Sequence, residues 1–229
     1  MTDFAAIVSR WPGKSAGTEE IAHPAVYHML DVAAVAERLV HPLPFDKPLK
    51  AALVLLAALH DLGKINAAFR AMLETGQPQR AGRHWEVSEA LLRLHDATEL
   101  VPVLGARESR RHALYAATAG HHGRPTDREL SFNHSGSGPG GAWKSMLDAA
   151  GAEAVEDAAA VIRVFCALWP EASLAGVERR EVEPLSWRLA GPRPVGQRRA
   201  QSVPRPRGDD PLSEPAICQT EPRSPPTWE

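Results

Sequence analysis

The stretch PLKAALVLLAALHDLGK, residues 48–64, decides the fold of this chain. It opens with a proline, which suits the first turn of a helix. Up to His60 it is apolar almost all round, which is typical of a helix at the centre of a domain. His60 and Asp61 end the apolar run, and Gly63 interrupts the helical pattern. The sequence therefore predicts a central helix over 48–60, with a histidine and an aspartate at its buried end.

Helical periodicity continues on both sides of this segment. Between residues 24 and 40, apolar residues such as Val26, Met29 and Ala33 recur on successive turns of a helix. No segment shows the alternation of a strand, and no internal repeat is visible. The sequence thus predicts an all-α fold, a helical bundle. Further helices are predicted over 64–74, 84–95, 107–120, 142–150 and 153–169, and a last one begins over 184–190.

The composition changes after Gly191. Residues 192–229 hold nine prolines and six arginines, with no periodicity and few apolar residues. Such a segment cannot bury enough apolar surface to offset the entropy of ordering it. The sequence predicts one folded domain over 1–191 and a disordered Pro/Arg-rich tail over 192–229.

The bulk composition is that of a globular domain. Of the 229 residues, 44% are hydrophobic and 24% charged, and the net charge is −2. This charge gives no basic field for nucleic acid, so a nucleic-acid substrate must be argued from the site or from a partner that delivers it. Cys166 lies in an apolar run and Cys218 in the tail, and nothing in this pattern indicates a disulfide framework. The longest apolar run, 51–59, is too short to span a bilayer, so we expect a cytoplasmic protein that does not contact membranes.

The candidate site consists of histidines grouped around one aspartate. Neutral imidazole and carboxylate are the ligands of a borderline divalent metal, and a carboxylate can bridge two ions. Two such ions can activate water and clamp a phosphate. The histidine-rich set favours iron, manganese, cobalt or nickel over magnesium, which prefers oxygen ligands. The candidate metal ligands are His28, His60, Asp61, His84, His121 and His122, and the candidate catalytic residues are Asp61 and Lys64.

Each of these residues also has a purely structural interpretation. A lone histidine on an apolar helix, such as His28, is more often a hydrogen-bonded core residue. His121 and His122 could cap a helix, since cations are favoured at its C-terminus, and Lys64 alone would be a solvated lysine. The order and context of the residues favour a site instead. A second His-Asp pair, at 95–96, is interpreted as chance on a polar helix end, and surface positions are expected for His23, His41, His112 and His134.

The motifs together resemble the HD nuclease domain of the CRISPR-associated helicase-nuclease of type I systems. The resemblance runs from about Lys14 to Gly191. HDxGK alone marks only the broad HD superfamily, and the isolated His84 and the doubled histidine before Gly123 make the resemblance more specific. The stretches that carry it are HPAVYHMLDVAAVAERL (23–39), LAALHDLGKINAAFRAML (56–73), RHWEVSEALL (83–92) and ATAGHHGRP (117–125).

The resemblance implies an all-helical domain with two metal ions that cuts single-stranded DNA exposed by a guide-RNA surveillance complex. By this likeness, His28, His60 and Asp61 match the ligands of one metal. Asp61, as the bridge, matches the second metal together with His84, His121 and His122. Lys64 matches a lysine near the scissile phosphate, where a cation stabilises developing charge.

Two departures from the family pattern stand out. No GxxxxGK[ST] phosphate loop is present, so the helicase is expected to be a separate polypeptide or to have been lost. The family also has a late aspartate ligand after a segment that PLSWRLAG, residues 184–191, resembles. Here that aspartate would fall near Gln197, and none is found there. We expect the ending after Gly191 to be out of frame or otherwise replaced, which weakens the shell of the first metal.

Three functions remain open at this point. The first is a DNA nuclease that works with a helicase and a surveillance complex. The second is an HD phosphohydrolase acting on a nucleotide or signalling molecule, which would need His28, His60 and Asp61 but not the other histidines. The third is a folded, metal-poor remnant. The number of candidate ligands favours the nuclease over the phosphohydrolase.

Overall fold

The computed structural model describes residues 3–14, 23–79, 82–122 and 141–178, together with residues 181 and 185. Over these ranges the chain is built of helices, and they contain no strand, only an isolated bridge between Pro12 and Pro24. The predicted all-α fold is therefore confirmed. The helices are α1 (Phe4–Arg10), α2 (Ala25–Val40), α3 (Lys47–Ala58), α4 (Ala67–Thr75), α5 (His84–Leu94), α6 (Val101–Leu104), α7 (Glu108–Ala119), α8 (Gly141–Ala150) and α9 (Ala152–Leu168).

Helix α3 forms the centre of the core, as its sequence predicts. The Asp46 side chain caps its N-terminus by accepting a hydrogen bond from the backbone N–H of Leu49 at 2.9 Å. The side chains of Val54, Leu55 and Leu56 are almost completely buried. Helix α2 packs along α3.

The chain leaves α-helical geometry earlier than the sequence predicts. Helix α3 ends at Ala58, and a 3-10 turn over Leu59–Lys64 follows, with a non-helical backbone at Asp61 (φ −107°, ψ 22°). The next helix begins at Ala67 rather than at residue 64, because the buried Asn66 accepts a hydrogen bond from the N–H of Ala68 and so caps it. The predicted boundaries at 60 and 64 were wrong, since the HDLGK segment forms a turn of its own.

Two helical segments were not expected from the sequence. Helix α1 is short, and its Ile7 is buried together with Trp11, which follows the helix. Between α5 and α7, a π-helical turn over Asp96–Leu100 leads into α6. Both segments contribute buried apolar side chains to the core.

The interpretation of His95-Asp96 as a polar helix end was wrong. Asp96 is only 6% exposed and accepts hydrogen bonds from Arg111 Nη2 at 2.7 Å and from the Tyr115 hydroxyl at 2.7 Å. His112, expected at the surface, is partly buried, with Nε2 3.4 Å from Asp96 Oδ2. These four residues are called the Asp96 cluster below. His23 and His41 are exposed as predicted, and His134 lies outside the described residues.

Other expectations also fall on residues that the structure does not describe. The tail over 192–229, the domain boundary at 191 and most of the helix predicted over 184–190 belong to this group. Within the described ranges, no single helix is long and apolar enough to cross a membrane. One bent pair of segments, Lys47–Lys64 and Ala67–Thr75, meets the length and composition criteria jointly.

Candidate metal centre

Asp61 lies at the centre of the site, in the 3-10 turn that follows α3. Its side chain is almost fully buried, with a relative exposure of 3% for the residue. Three nitrogen atoms surround its Oδ2 atom: Lys64 Nζ at 2.8 Å, His28 Nε2 at 3.0 Å and His60 Nε2 at 3.1 Å. Helix α2 supplies His28, and the turn itself supplies His60 and Lys64. One oxygen of Asp61 thus faces two imidazoles and an ammonium group.

The other carboxylate oxygen faces a second group of histidines. Asp61 Oδ1 lies 3.4 Å from His84 Nε2 and 3.3 Å from His121 Nε2. His122 continues this group, with its Nε2 2.9 Å from that of His84. The N-terminus of α5 supplies His84, and the short 3-10 turn after α7 supplies His121 and His122. The structure therefore brings together all seven residues that the sequence singled out.

Two of the imidazoles are oriented by backbone carbonyl groups. His60 Nδ1 donates a hydrogen bond to the Ala57 carbonyl at 2.9 Å, and His121 Nδ1 donates to the Thr118 carbonyl at 3.2 Å. Each bond places a proton on Nδ1 and directs Nε2 at Asp61, which makes Nε2 the nitrogen available to a metal. This arrangement is typical of histidines that ligate metals through Nε2.

These residues fit divalent metal ions. Ligand atoms of His28, His60 and Asp61 lie within 4.8 Å of one another, and so do those of His84, His121 and His122. Moreover, Asp61 Oδ1 is buried and makes no hydrogen bond within the described residues. A buried carboxylate oxygen without a partner is costly unless a cation approaches it. A metal beside each histidine group would satisfy both oxygens of Asp61.

The protonation states suit metal ligation. Burial opposes the ionisation of Asp61, but its contacts with His121, His28 and His60 outweigh this effect and hold the pKa of the carboxyl well below its ordinary value. Burial lowers the pKa of His84 to about 4, against the opposing attraction of Asp61. Burial and the neighbouring His121 likewise lower the pKa of His122. At neutral pH the site therefore presents an ionised carboxylate at Asp61 and neutral imidazoles at His84 and His122, the forms that bind metals.

Close contact between the 3-10 turn and α5 positions His84. The backbone N–H of Gly63 donates to Ser88 Oγ at 2.8 Å, and both groups are buried. A Cβ atom at Gly63 would lie 1.9 Å from the His84 carbonyl oxygen and 2.5 Å from the Ser88 nitrogen. Only glycine allows this approach, and the approach brings His84 to Asp61.

Sequence reasoning missed Ser88 and Trp85. Ser88 could have been found only as a buried polar residue on the apolar face of α5. Trp85 follows His84 directly, and its ring lies 5.0 Å from that of His122. A large aromatic side chain next to a candidate ligand was the available signal for Trp85.

An HD dipeptide held at the centre of a helical bundle, with histidines from α2, α5 and the end of α7 around it, defines an HD-domain protein. A family model described as "Cas3, HD domain" matches residues 11–192, so the chain belongs to this Cas3 HD-domain family. The family indicates a metal-dependent nuclease of CRISPR systems. No curated protein and no solved structure gives a match to the chain.

Proposed function

We propose that this protein is a metal-dependent nuclease, of endonuclease or exonuclease type, that cuts single-stranded DNA in type I CRISPR interference, an antiviral defence. The observation that carries the proposal is the position of Asp61, a buried carboxylate with a separate histidine group on each oxygen. An HD phosphohydrolase acting on a nucleotide would not need the group on Oδ1. A dinuclear centre, by contrast, needs both groups.

The two groups divide the ligands between two ions. His28, His60 and one oxygen of Asp61 would hold the first ion, and His84, His121, His122 and the other oxygen would hold the second. Imidazole-rich sets favour iron, manganese, cobalt or nickel over magnesium. When bound, such ions supply the Lewis acidity that activates water and stabilises negative charge on a phosphate.

Lys64 supplies the fixed positive charge of the site. Its side chain is only 14% exposed, and its ammonium group lies 2.8 Å from Asp61 Oδ2. A cation held in a water-poor site interacts strongly with charge that develops on a phosphate oxygen. Lys64 would therefore stabilise the phosphodiester during cleavage, while Asp61 and the histidines hold the ions in place.

The partners follow from the charge of the chain and from its family. With a net charge of −2, the protein has no general attraction for DNA. We propose that a helicase and a guide-RNA surveillance complex, both cytoplasmic, deliver the single strand to the site.

We further propose that the activity is weak. Among the described residues, the first group offers three ligands, His28, His60 and Asp61. The resemblance implies a late aspartate near residue 197, where the chain has Gln197. A shell with fewer protein ligands binds its ion less tightly, so catalysis would require high metal concentrations.

Cleavage assays with purified protein test the proposal. Circular single-stranded DNA, linear single strands, duplex DNA and nucleotides are incubated with manganese, cobalt, nickel, ferrous iron or magnesium, and bound metal is counted. We expect cleavage of single strands with a transition metal, and cutting of the circle identifies an endonuclease. Asp61→Ala should abolish cleavage, whereas Asp148→Ala, which removes an exposed carboxylate on α8, should not.

The same assay separates the alternatives. Hydrolysis of nucleotides without cleavage of DNA would replace the nuclease proposal with the phosphohydrolase. No hydrolysis of any substrate, with about one ion bound per chain, would indicate a remnant without activity.

A further inference from the structure

Trp85 and Arg83 form a pair of side chains at the edge of the metal centre. Trp85 is the second residue of α5 and is partly exposed. Its ring lies 5.0 Å from the ring of His122 and 5.2 Å from that of His84, between centroids. The guanidinium of Arg83, an exposed residue, lies over the Trp85 ring at 5.1 Å from its centroid.

The packing of the core does not account for Trp85. Further along α5, Val87 and Leu91 are completely buried in the hydrophobic core. Trp85 lies outside the core cluster formed by the described residues, and its ring contacts the rings of His84 and His122 and the guanidinium of Arg83. A large aromatic ring at the rim of a site, rather than in the core, offers a surface for a ligand.

We propose that Trp85 and Arg83 form a nucleotide-binding subsite, in which Trp85 stacks on a base next to the scissile phosphate and Arg83 binds a neighbouring phosphate. The proposal rests on the proposed nuclease function and assigns residues that hold the strand. Every base has a π-face, so stacking on tryptophan binds single strands with little regard to sequence. The planar guanidinium of arginine matches the geometry of a phosphate.

The position of the pair relative to the second histidine group supports this assignment. His122 contacts Trp85 through its ring and His84 through its Nε2 atom. A phosphate bound at the histidines therefore lies beside the indole, and a base one sugar away from that phosphate can reach its face. In a duplex the bases are stacked and paired, so the subsite selects a single strand.

Arg83 is anchored through its backbone, and its side chain is exposed. Its backbone N–H donates to Glu86 Oε2 at 2.8 Å, which fixes the start of α5. The exposed guanidinium makes a cation–π contact with Trp85, which is weak at an exposed position. When a base stacks on the Trp85 ring, the Arg83 guanidinium can therefore move from the ring to a phosphate without disturbing α5.

Binding of labelled single strands tests the subsite separately from catalysis. The dissociation constant of a fluorescein-labelled oligothymidine with phosphorothioate linkages, which slow cleavage, is measured by anisotropy with manganese. A second set of strands carries one abasic residue at successive positions. The proteins are the wild type, Trp85→Ala, Trp85→Phe, Arg83→Ala and the control Arg107→Ala, which alters the exposed N-cap arginine of α7. Cleavage of the unmodified strand is assayed in parallel.

We expect Trp85→Ala to weaken binding about tenfold or more, and Trp85→Phe to restore most of the loss. In the wild type, one abasic position should weaken binding to a similar extent, but in Trp85→Ala the same abasic strand should bind as well as the intact one. Arg83→Ala should weaken binding and reduce its salt dependence, while Arg107→Ala should do neither.

The outcomes distinguish the two proposals. If the wild type binds the strand but does not cut it, the nuclease proposal fails and the subsite is still tested. If Trp85→Ala remains as sensitive to the abasic position as the wild type, or if the wild type does not bind the strand, the subsite is ruled out.

Discussion

At the scale of single residues, the site depends on the two oxygens of Asp61. Oδ2 faces His28, His60 and Lys64, and Oδ1 faces His84 and His121. A carboxylate has about four lone-pair directions, so one side chain can serve both groups. The division of the ligands therefore follows from the orientation of a single buried side chain.

Lys64→Met should leave metal binding intact and lower kcat for strand cleavage about 100-fold, because a fixed cation at the phosphate is lost. Metal content and steady-state kinetics measure the two effects separately. Lys144→Met, which removes an exposed ammonium group on α8, is the matched control and should change neither. An unchanged kcat in Lys64→Met would reduce Lys64 to an ion-pair partner of Asp61.

The number of ligands predicts which ion is held more tightly. Within the described residues, His84, His121, His122 and Asp61 Oδ1 offer four donors, whereas His28, His60 and Asp61 Oδ2 offer three. We expect His84→Ala to remove the tighter ion and His28→Ala to remove only the weaker one. Calorimetric titration with manganese or nickel would show this, and equal losses in both variants would contradict it.

The residue types of the site were predictable from the sequence, but the Asp96 cluster was not. Histidines and an aspartate around a buried helix end have a recognisable chemistry, and the family resemblance added their order. Asp96 gives no such signal, because its partners Arg111 and Tyr115 lie 15 and 19 residues further along the chain. Only the packing of α7 against α5 makes the second His-Asp pair a buried ionic cluster.

At the scale of secondary-structure elements, the contact of Gly63 with α5 sets the position of His84 relative to Asp61. Gly63→Ala should lower the free energy of unfolding by about 1–3 kcal/mol, because its Cβ would collide with the backbone of His84 and Ser88. Since α5 must move away from the turn, His84 should also separate from Asp61, and cleavage should fall sharply. Urea unfolding and strand cleavage measure the two effects.

Gly176→Ala is the matched control for this prediction, because a Cβ at Gly176 meets no atom within 4 Å. It should leave both stability and cleavage near wild-type values. If Gly63→Ala were as active as Gly176→Ala, the close contact would not be what positions His84.

The periodicity of the sequence predicted the long helices well and the short segments poorly. Helices α2, α5 and α7 agree with the sequence to within about one residue at each end. Helix α1 has only 7 residues, so it offers too few turns for a pattern to stand out. The break after Ala58 was placed late, since leucine, histidine and aspartate give no local sign that the helix has tightened into a 3-10 turn.

At the scale of the whole molecule, two buried carboxylates lie near opposite ends of α5. Asp61 faces His84 at its start, and Asp96 follows shortly after its end at Leu94. Asp96 holds Arg111 of α7, which also donates hydrogen bonds to the carbonyls of Gly105 and Ala106. Because the end of α7 leads into His121 and His122, the Asp96 cluster stabilises an element that leads to two of the six candidate metal ligands.

This arrangement predicts how stability depends on pH. Burial opposes the ionisation of Asp96, but Arg111, His112 and Tyr115 outweigh it and hold the pKa of the carboxyl below its ordinary value. A depressed carboxyl pKa contributes stability that is fully present above the unfolded value, about 3.9, and is lost as pH falls toward the folded value. The cluster should therefore stabilise the protein at neutral pH and progressively less below about pH 4.

Asp96→Asn should make the metal-free protein about 3 kcal/mol less stable at pH 7, because Arg111 keeps its charge in a buried position without a counterion. The difference from the wild type should shrink as the pH is lowered below about 4, because the Asp96 carboxyl of the unfolded wild type then binds a proton that the folded state does not. Urea unfolding of both proteins between pH 3 and pH 7 measures it. Asp61 also has a depressed pKa, but it is present in both proteins and cancels from the difference. A difference that stayed constant down to pH 3 would mean that packing around residue 96, rather than the charge of Asp96, holds α7 against α5.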